Sequence, residues 1–251
     1  MNRGNRVTVI TGGGRGIGAA VAHRIAHRGD AVVLGYRSDA QAAGSVAEAI
    51  SAAGGRASAF ACNVADEAQV EALFRDAEAE LGPITGLVNA AGYAEPQARV
   101  DAMDAARLQR LFAANVTGSF LCAREAVRRM STRHGGRGGA IVNLSSAASR
   151  LGSPGEYVDY AASKGAIDTL TIGLAKEVAT EGVRVNAVRP GLIHTQFHAA
   201  GGDPDRVERL AGGVPMARGG EADEVATAVA WLLSDEASYT TGALLDVSGG
   251  R

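Results

Sequence analysis

A tyrosine and a lysine with the spacing of an acid–base pair occur in the second half of the chain, as Tyr160-x-x-x-Lys164. Residues four apart lie on one face of a helix, so both side chains can enter the same pocket. Carbonyl–alcohol interconversion needs a group that gives or takes a proton as a hydride moves, but a free phenol, with a pKa of about 10, is a weak base near neutrality. We therefore expect the Lys164 ammonium to lower the pKa of Tyr160 into a useful range.

Lysine is scarce in this chain, which gives that spacing more weight. Of 25 basic residues only Lys164 and Lys176 are lysines, and there are five tyrosines. With these numbers only about 0.04 Tyr-x-x-x-Lys spacings are expected by chance in 251 residues. We assign no role to Lys176.

A glycine-rich turn marks a second chemical feature, near the start of the chain. It follows the apolar run Val7–Thr11 and opens a helical segment. Glycines there permit positive φ and let backbone N–H groups approach a pyrophosphate at the helix N-terminus. The strand–turn–helix context favours nucleotide binding over an ordinary tight turn. The residues predicted to hold the nucleotide here are Gly12, Arg15, Gly16, Ile17 and Gly18.

These motifs need a scaffold, and short apolar runs alternating with amphipathic segments provide it. Strands are predicted at Val7–Thr11, Ala31–Tyr36, Ala57–Cys62, Ile84–Asn89, Ala140–Leu144, Val183–Val188 and Ala243–Val247. Helices are predicted at Gly16–Arg28, Ala40–Ala53, Glu67–Leu81, Asp104–Asn115, Gly118–His134, Val158–Thr180 and Glu221–Leu233. Continuous apolar strands indicate a parallel sheet covered on both faces. We therefore predict a single α/β domain over residues 1–251, with a doubly wound parallel sheet of about seven strands. Arg189–Arg218 is predicted to be an irregular substrate loop.

The glycines at 12, 16 and 18 give the pattern T-G-x-x-x-G-x-G. Together with Tyr160-x-x-x-Lys164, it resembles the standard-length branch of the short-chain dehydrogenase/reductase family over essentially the whole chain. The resemblance implies a Rossmann fold and NAD(P)-dependent oxidoreductase activity on CH–OH groups. It also implies that Lys164 binds the nicotinamide ribose and that Asn115 holds a water of a proton relay.

A serine pair, Ser145 and Ser146, follows the fifth predicted strand. A hydroxyl there can donate to a substrate carbonyl and stabilise alkoxide charge. The second serine is normally catalytic in the family, which favours Ser146. The interval from Ser146 to Tyr160 is one residue longer than is usual, and we expect the extra residue within Ser153–Asp159.

The end of the second predicted strand bears on which dinucleotide binds. NAD-specific sites usually place an acid there for the ribose 2′-hydroxyl. Here the position is Tyr36, followed by Arg37 and Ser38, while Asp39 comes too late. A 2′-phosphate needs cations and hydroxyl donors, and Arg15 adds a further guanidinium. We expect NADP(H) to be preferred, with NAD(H) as the second choice.

The resemblance implies further cofactor contacts. They are Asn63 and Val64 at the adenine, Asn89, Ala90, Ala91 and Gly92 along the cofactor and the sheet, and Pro190, Gly191, Ile193 and Thr195 at the nicotinamide carboxamide.

Histidines and aromatic residues leave alternatives open. His194 and His198 have helical spacing, and contact with substrate is one hypothesis for them. No metal site is predicted, because no Cys or carboxylate set completes a ligand shell. Tyr93, Tyr157 and Phe197 either line a pocket or pack in the core.

Composition excludes several classes of protein. The net charge is −2, and charges of both signs are mixed along the chain, which argues against nucleic-acid binding. There is no apolar run of signal-peptide or membrane-spanning type, so we expect a soluble cytoplasmic protein. By family analogy we expect a homotetramer, with a dimer as the next choice.

We therefore predict an NADP(H)-dependent oxidoreductase that interconverts a carbonyl and a secondary alcohol. Family-like segments favour a sugar, a 3-oxoacyl thioester or another small ketone as substrate. The alternative is a catalytically silent NADP(H) sensor on the same fold. The intact set of Asn115, Ser146, Tyr160 and Lys164 argues against it, because a sensor needs no acid–base pair.

Overall fold

The computed structural model describes residues 6–251, which fold around a seven-stranded parallel sheet. The strands are β1 (Val7–Thr11), β2 (Ala31–Tyr36), β3 (Arg56–Ala61), β4 (Ile84–Asn89), β5 (Gly139–Leu144), β6 (Val183–Pro190), β7 (Ile193–His194), β8 (Gly220–Glu221) and β9 (Leu244–Val247). The sheet order is β3-β2-β1-β4-β5-β6-β9, and the short β7 and β8 pair with each other. The predicted doubly wound parallel sheet is confirmed.

Helices cover both faces of the sheet. They are α1 (Gly16–His27), α2 (Ala40–Ala52), α3 (Glu67–Leu81), α4 (Ala105–Phe112), α5 (Gly118–Met130), α6 (Ala148–Leu151), α7 (Val158–Val178), α8 (Phe197–Ala200), α9 (Arg206–Leu210) and α10 (Ala222–Leu233). Short 3-10 turns lie at Val100–Ala102, Thr132–His134, Ala179–Glu181, Ala211–Gly213 and Asp235–Ala237. Within residues 6–251, no helix has the length and apolar character needed to cross a membrane.

Alternate strand residues enter two separate apolar cores. Val9 and Val33 pack in a cluster with α3, α5 and the end of α7, whereas Ile10 and Leu34 pack in a cluster with α1, α2 and α10. Successive side chains of a strand point to opposite faces, so a sheet covered on both sides needs apolar residues at every position. This requirement explains why the central strands were visible as continuous apolar runs.

The strand order reverses between β1 and β4, which positions the loops that follow these strands. In open α/β sheets, ligands bind outside the carboxyl ends of the strands at such a switch point. The glycine loop follows β1, and the segment 89–92 ends β4 and the loop after it. Thr11 Oγ1 links them by accepting the N–H groups of Ala90 and Ala91 at 3.2 and 3.1 Å.

The helical stretch around Asn115 differs from the prediction of two separated helices. A π-helical segment, Ala113–Thr117, joins α4 directly to α5, and Asn115 is fully buried within it. Isolated π-helical turns are frequent at functional sites. The prediction that α5 reaches His134 was wrong. It ends at Met130, because Ser131 has an extended backbone and its hydroxyl accepts the N–H of Arg133.

The prediction that residues 189–218 are irregular was wrong in part, since the segment contains β7, α8 and α9. Helices of four and five residues are too short to show a hydrophobic period. Ion pairs connect this segment to itself and to the loop before α7: Arg206 lies within ion-pair distance of Asp203 and Glu156.

Candidate active site

A cleft of about 350 Å³ opens at the carboxyl edge of the sheet, over the loops that follow β1, β4, β5 and β6. The structure brings most of the predicted site residues together in its walls. These are Gly12, Arg15, Gly16, Ile17, Gly18, Ala90, Ala91, Gly92, Ser146, Tyr160, Lys164, Pro190, Gly191, Ile193 and Thr195.

The glycine loop is shaped so that side chains would obstruct it. Gly12 has φ +68°, and a Cβ there would lie 3.0 Å from the backbone of Ala91. A Cβ at Gly18 would lie 2.3 Å from the Gly12 carbonyl oxygen. The N-cap of α1, Arg15, makes no side-chain cap, so the first N–H groups of this helix remain available to an anion. This cradle fits the pyrophosphate of a dinucleotide.

Two arginines lie near the end of β2: Arg15 lines the cleft, and Arg37 lies outside its lining. Arg15 forms an ion pair with Asp39, whose other oxygen caps α2 by accepting the Ala42 N–H at 2.9 Å. The Arg37 guanidinium lies 5.7 Å from the centre of the Tyr93 ring. Tyr36, the last residue of β2, brings no carboxylate to this end, and the neighbouring Ser38 is exposed. Cations and a hydroxyl are thus grouped where an adenosine ribose is bound in this fold.

Besides Tyr36, Arg37 and Ser38, three more residues predicted as cofactor contacts lie outside the lining of the cleft: Asn63, Val64 and Asn89. Asn63 Oδ1 accepts the N–H of Ala65 at 3.2 Å in the turn after β3. The Val64 side chain is buried, and a Cβ at Gly118 would lie 2.6 Å from its Cγ2. Asn89, also buried, donates from Nδ2 to Asn143 Oδ1 at 2.9 Å. The Val64 and Asn89 side chains therefore support the core and the sheet.

Tyr160 and Lys164 project from α7 into one wall of the cleft, as their spacing predicts. Lys164 Nζ lies 5.6 Å from the centre of the Tyr160 ring and donates to the Leu144 carbonyl oxygen at 2.6 Å. Burial lowers the pKa of Lys164 to about 8. Burial also raises the pKa of Tyr160 to about 12, although a hydrogen bond with Ser146 opposes this.

The expectation that Lys164 lowers the pKa of Tyr160 was therefore wrong for this structure. Spacing alone shows that the two groups are neighbours, but it does not show how much water each has lost. Desolvation disfavours both the phenolate and the ammonium, and it is the largest cause of the pKa shift of each group.

The two serines after β5 have different partners. Ser145 is buried and donates to the Lys164 carbonyl oxygen at 3.2 Å. Ser146 Oγ accepts the N–H of Ala148 at 3.1 Å, so its own hydrogen can be donated into the cleft. The hydroxyl groups of Ser146 and Tyr160 thus meet on one wall.

Asn115 holds the loop after β4 against α7. Its Oδ1 accepts the Tyr93 N–H at 3.1 Å, and its Nδ2 donates to the Tyr93 carbonyl oxygen at 2.9 Å and to Ser163 Oγ at 3.2 Å. A Cβ at Gly92 would lie 3.2 Å from Asn115 Oδ1 and 3.6 Å from Lys164 Nζ. The glycine therefore leaves room where these polar groups converge.

The turn between Ser146 and Tyr160 has an unusual backbone conformation at Ser153. Ser153 has φ +46°, in the left-handed region that non-glycine residues rarely adopt, and it lines the cleft. It lies between Gly152 and Gly155, which also have positive φ.

Residues of the segment 189–218 cover the Tyr–Lys pair. The Phe197 ring lies 5.5 Å from the Tyr160 ring, centre to centre, and His198 also lines the cleft. His194 is instead 3.6 Å from Glu208, outside the lining. Tyr157 is buried, and its hydroxyl donates to the Gly201 carbonyl oxygen at 3.3 Å.

Sequence reasoning missed several residues of this site. Arg206 and Arg251 line the cleft, but in an arginine-rich chain nothing distinguished them. It also missed a buried ion pair between Arg107 and Asp159, which precedes Tyr160 directly. That adjacency to the Tyr-x-x-x-Lys motif is the signal that could have drawn attention to Asp159.

A doubly wound parallel sheet with a glycine cradle and a Tyr–Lys pair at its switch point defines a class of dinucleotide-dependent oxidoreductases. A family model described as enoyl-(acyl carrier protein) reductase matches residues 12–251. The chain belongs to the short-chain dehydrogenase/reductase family and is an NAD(P)-dependent oxidoreductase.

Similar proteins cover nearly the whole chain. An uncharacterized oxidoreductase, YgfF of Escherichia coli, is 54% identical over 98% of this chain and 99% of its own length. The cis-4-hydroxycyclohexanecarboxylate dehydrogenase of Sinomonas cyclohexanicum is 42% identical over 98% of this chain and 96% of its own length. A crystal structure of a dehydrogenase/reductase from Sinorhizobium meliloti 1021 superposes with a TM-score of 0.91 at 33% identity, covering 98% of this chain and 95% of that one.

Proposed function

We propose that the protein transfers a hydride between NADP(H) and a small carbonyl or secondary-alcohol substrate, with Asn115, Ser146, Tyr160 and Lys164 as its functional groups. One observation carries the proposal. The Ser146 and Tyr160 hydroxyl groups meet beside the Lys164 ammonium in the same cleft as the glycine cradle.

The bound nicotinamide supplies or accepts the hydride. Ser146 donates its hydrogen to the substrate oxygen and stabilises the charge that develops there. Tyr160 gives its proton to that oxygen during reduction and takes it back during oxidation. Lys164, whose pKa is lowered to about 8, returns a proton toward Tyr160 near neutral pH. Asn115 keeps the loop after β4 beside Lys164.

The residues suited to hold the dinucleotide fall into three groups. Gly12, Gly16, Ile17 and Gly18 form the cradle for the pyrophosphate. Asn63 and Val64 belong to the loop after β3, proposed at the adenine, while Ala90, Ala91 and Gly92 belong to the loop after β4, proposed to line the cofactor. Pro190, Gly191, Ile193 and Thr195 lie at the nicotinamide end, where a Cβ at Gly16 would come within 3.3 Å of Thr195 Cγ2.

Preference for NADP(H) over NAD(H) is supported by Arg15 and Arg37 and by Tyr36 in the place of an acid. A charge-assisted hydrogen bond contributes about 1.5–3 kcal/mol, so an Arg37→Ala variant should raise KM for NADPH about 10- to 100-fold and leave KM for NADH nearly unchanged. The measurement is initial-rate kinetics with both cofactors. Equal effects on both, or a wild-type preference for NADH, would contradict this proposal.

The substrate is proposed to be a small cyclic ketone or its alcohol, by analogy with the hydroxycyclohexanecarboxylate dehydrogenase. Sugars and 3-oxoacyl thioesters are the other classes to test. A substrate panel read by NADPH absorbance decides among them, with Tyr160→Phe as the control that should lose turnover and keep cofactor affinity. If no substrate in the panel is turned over while NADPH binds tightly, the protein is better described as a sensor.

We also propose that the chain forms a homotetramer in which a groove between α5 and α7 makes one of the interfaces. Phe120, Val127, Leu170 and Leu174 line it, and Phe120 is 49% exposed. A second copy of the same surface would bury these side chains. Analytical ultracentrifugation should give a mass of four chains for the wild type and a smaller one for Phe120→Glu. A monomeric wild type would refute the assembly.

A further inference from the structure

The charged side chains that line the cleft are all basic. They are Arg15, Lys164, Arg206 and Arg251, and no aspartate or glutamate side chain lines it within residues 6–251. A cleft lined by one sign of charge and walled by apolar groups concentrates ligands of the opposite sign. Binding of the cofactor pyrophosphate explains the positive charge near the glycine loop. It does not explain the positive charge at the substrate end of the cleft.

Most of these cations already have partners. Arg15 pairs with Asp39, and Arg206 lies within ion-pair distance of Glu156 and Asp203. Lys164 donates to a carbonyl oxygen. Within the described part of the chain, the Arg251 guanidinium has no carboxylate in ion-pair range and makes no hydrogen bond.

Arg251 lies at the substrate end of the cleft. Its carbonyl oxygen accepts from Arg150 at 3.0 Å and from Ser248 at 2.9 Å. Arg150 belongs to α6, which follows Ser146 almost directly, and a Cβ at Gly191 would lie 2.8 Å from Ser248. The nearby acid Asp246 lies 3.3 Å from Arg150. The backbone of Arg251 is therefore held to α6 and close to Gly191 in the lining of the cleft, and its guanidinium has no carboxylate partner within residues 6–251.

We infer that the substrate carries a carboxylate on an apolar body, and that Arg251 binds this carboxylate. The inference rests on the proposed function of the same cleft. Leu151, Leu192 and Phe197 supply apolar walls for the body of the substrate, while a guanidinium matches a carboxylate through two parallel hydrogen bonds.

The test compares two probes that differ only in charge, 4-oxocyclohexanecarboxylate and its methyl ester. Wild-type kcat/KM should favour the acid by about 10- to 100-fold, the range expected for a charge-assisted pair. Arg251→Gln should remove this preference by raising KM for the acid and leave the ester unchanged. Arg251→Lys should restore part of the preference, and Arg75→Gln on the exposed face of α3 should change neither substrate.

A binding measurement separates this inference from the proposed chemistry. Calorimetric titration of the Tyr160→Phe variant with NADPH present reports the affinity for the acid without turnover. If the acid binds more weakly to the Tyr160→Phe/Arg251→Gln double variant than to Tyr160→Phe, the inference is supported even when the wild type shows no turnover. Equal affinity for acid and ester, or equal losses for both in Arg251→Gln, would overturn it.

Discussion

The Arg107–Asp159 pair offers a sharp test of how this site is supported. Its side chains are 11% and 1% exposed, and Arg107 Nε lies 2.7 Å from Asp159 Oδ2. Arg107 also donates from Nη1 to the Pro96 carbonyl oxygen at 2.7 Å. Asp159 uses its other oxygen to accept the N–H of Tyr160 at 2.8 Å. The pair thus ties α4 and the loop after β4 to the first turn of α7.

Replacing Arg107 with Met leaves the Asp159 carboxylate buried without its cation. Breaking a buried pair in this way costs about 3–5 kcal/mol. For a domain of this size each kcal/mol lowers Tm by about 2–4 °C, so Tm should fall by roughly 6–20 °C. Arg107 Nη2 is buried without a hydrogen-bond partner, so desolvation of this nitrogen reduces the net stability that the pair contributes.

A second substitution then restores stability. Asp159→Asn removes the charge but keeps an oxygen for the Tyr160 N–H, so the double variant should recover at least half of the loss. The matched control is Arg110→Met, one turn along α4, where the guanidinium is 59% exposed and pairs with Glu95. It should cost less than about 1 kcal/mol.

Thermal and urea unfolding of the four proteins measure these differences. If Arg107→Met loses no more stability than Arg110→Met, Arg107 does not compensate the buried charge of Asp159. If the double variant is as unstable as the single one, loss of packing rather than unpaired charge is the cause.

Three further predictions follow from single side chains. Because burial lowers the pKa of Lys164 to about 8, the folded state disfavours its proton. Lys164→Met should abolish turnover and be more stable than the wild type by about 2 kcal/mol at pH 7, and this difference should shrink as pH rises from about 8 to 10.5, measured by urea unfolding of both proteins. Ala217, exposed with φ +53°, should gain about 0.5–1 kcal/mol as Ala217→Gly, seen as a higher Tm, and a loss would contradict the strained backbone. Cys62 should react slowly with iodoacetamide at pH 8 in the folded protein, because burial raises the pKa of its thiol to about 11; labelling as fast as in urea would refute this.

The residues that sequence reasoning located share a physical cause. Strand β1 was predicted at its exact bounds because a strand buried on both faces must be apolar throughout. The glycine cradle was found because no other residue type fits there, as the 2.3 Å approach at Gly18 shows. Tyr160 and Lys164 were found because residues four apart always lie on the same face of a helix.

The missed features depend on contacts between distant parts of the chain. Arg107 meets Asp159 across 52 residues, and neither position shows this in its own neighbourhood. Ser145 and Ser146 differ only in which backbone group each hydroxyl reaches. The pKa of Tyr160 moved opposite to expectation, because its sign depends on burial, which spacing does not encode.

Burial also gives a physical reason why a chain so rich in arginine has a lysine at position 164. A group that returns protons near neutral pH must be able to lose one there. An ammonium can do so when desolvation lowers its pKa, and for Lys164 it is lowered to about 8. A guanidinium keeps its proton at any accessible pH, so an arginine could supply charge at this position but could not relay a proton. In the mechanism proposed above, the burial that opposes ionisation of Tyr160 therefore also suits Lys164 to relaying a proton, and burial is the largest cause of both pKa shifts.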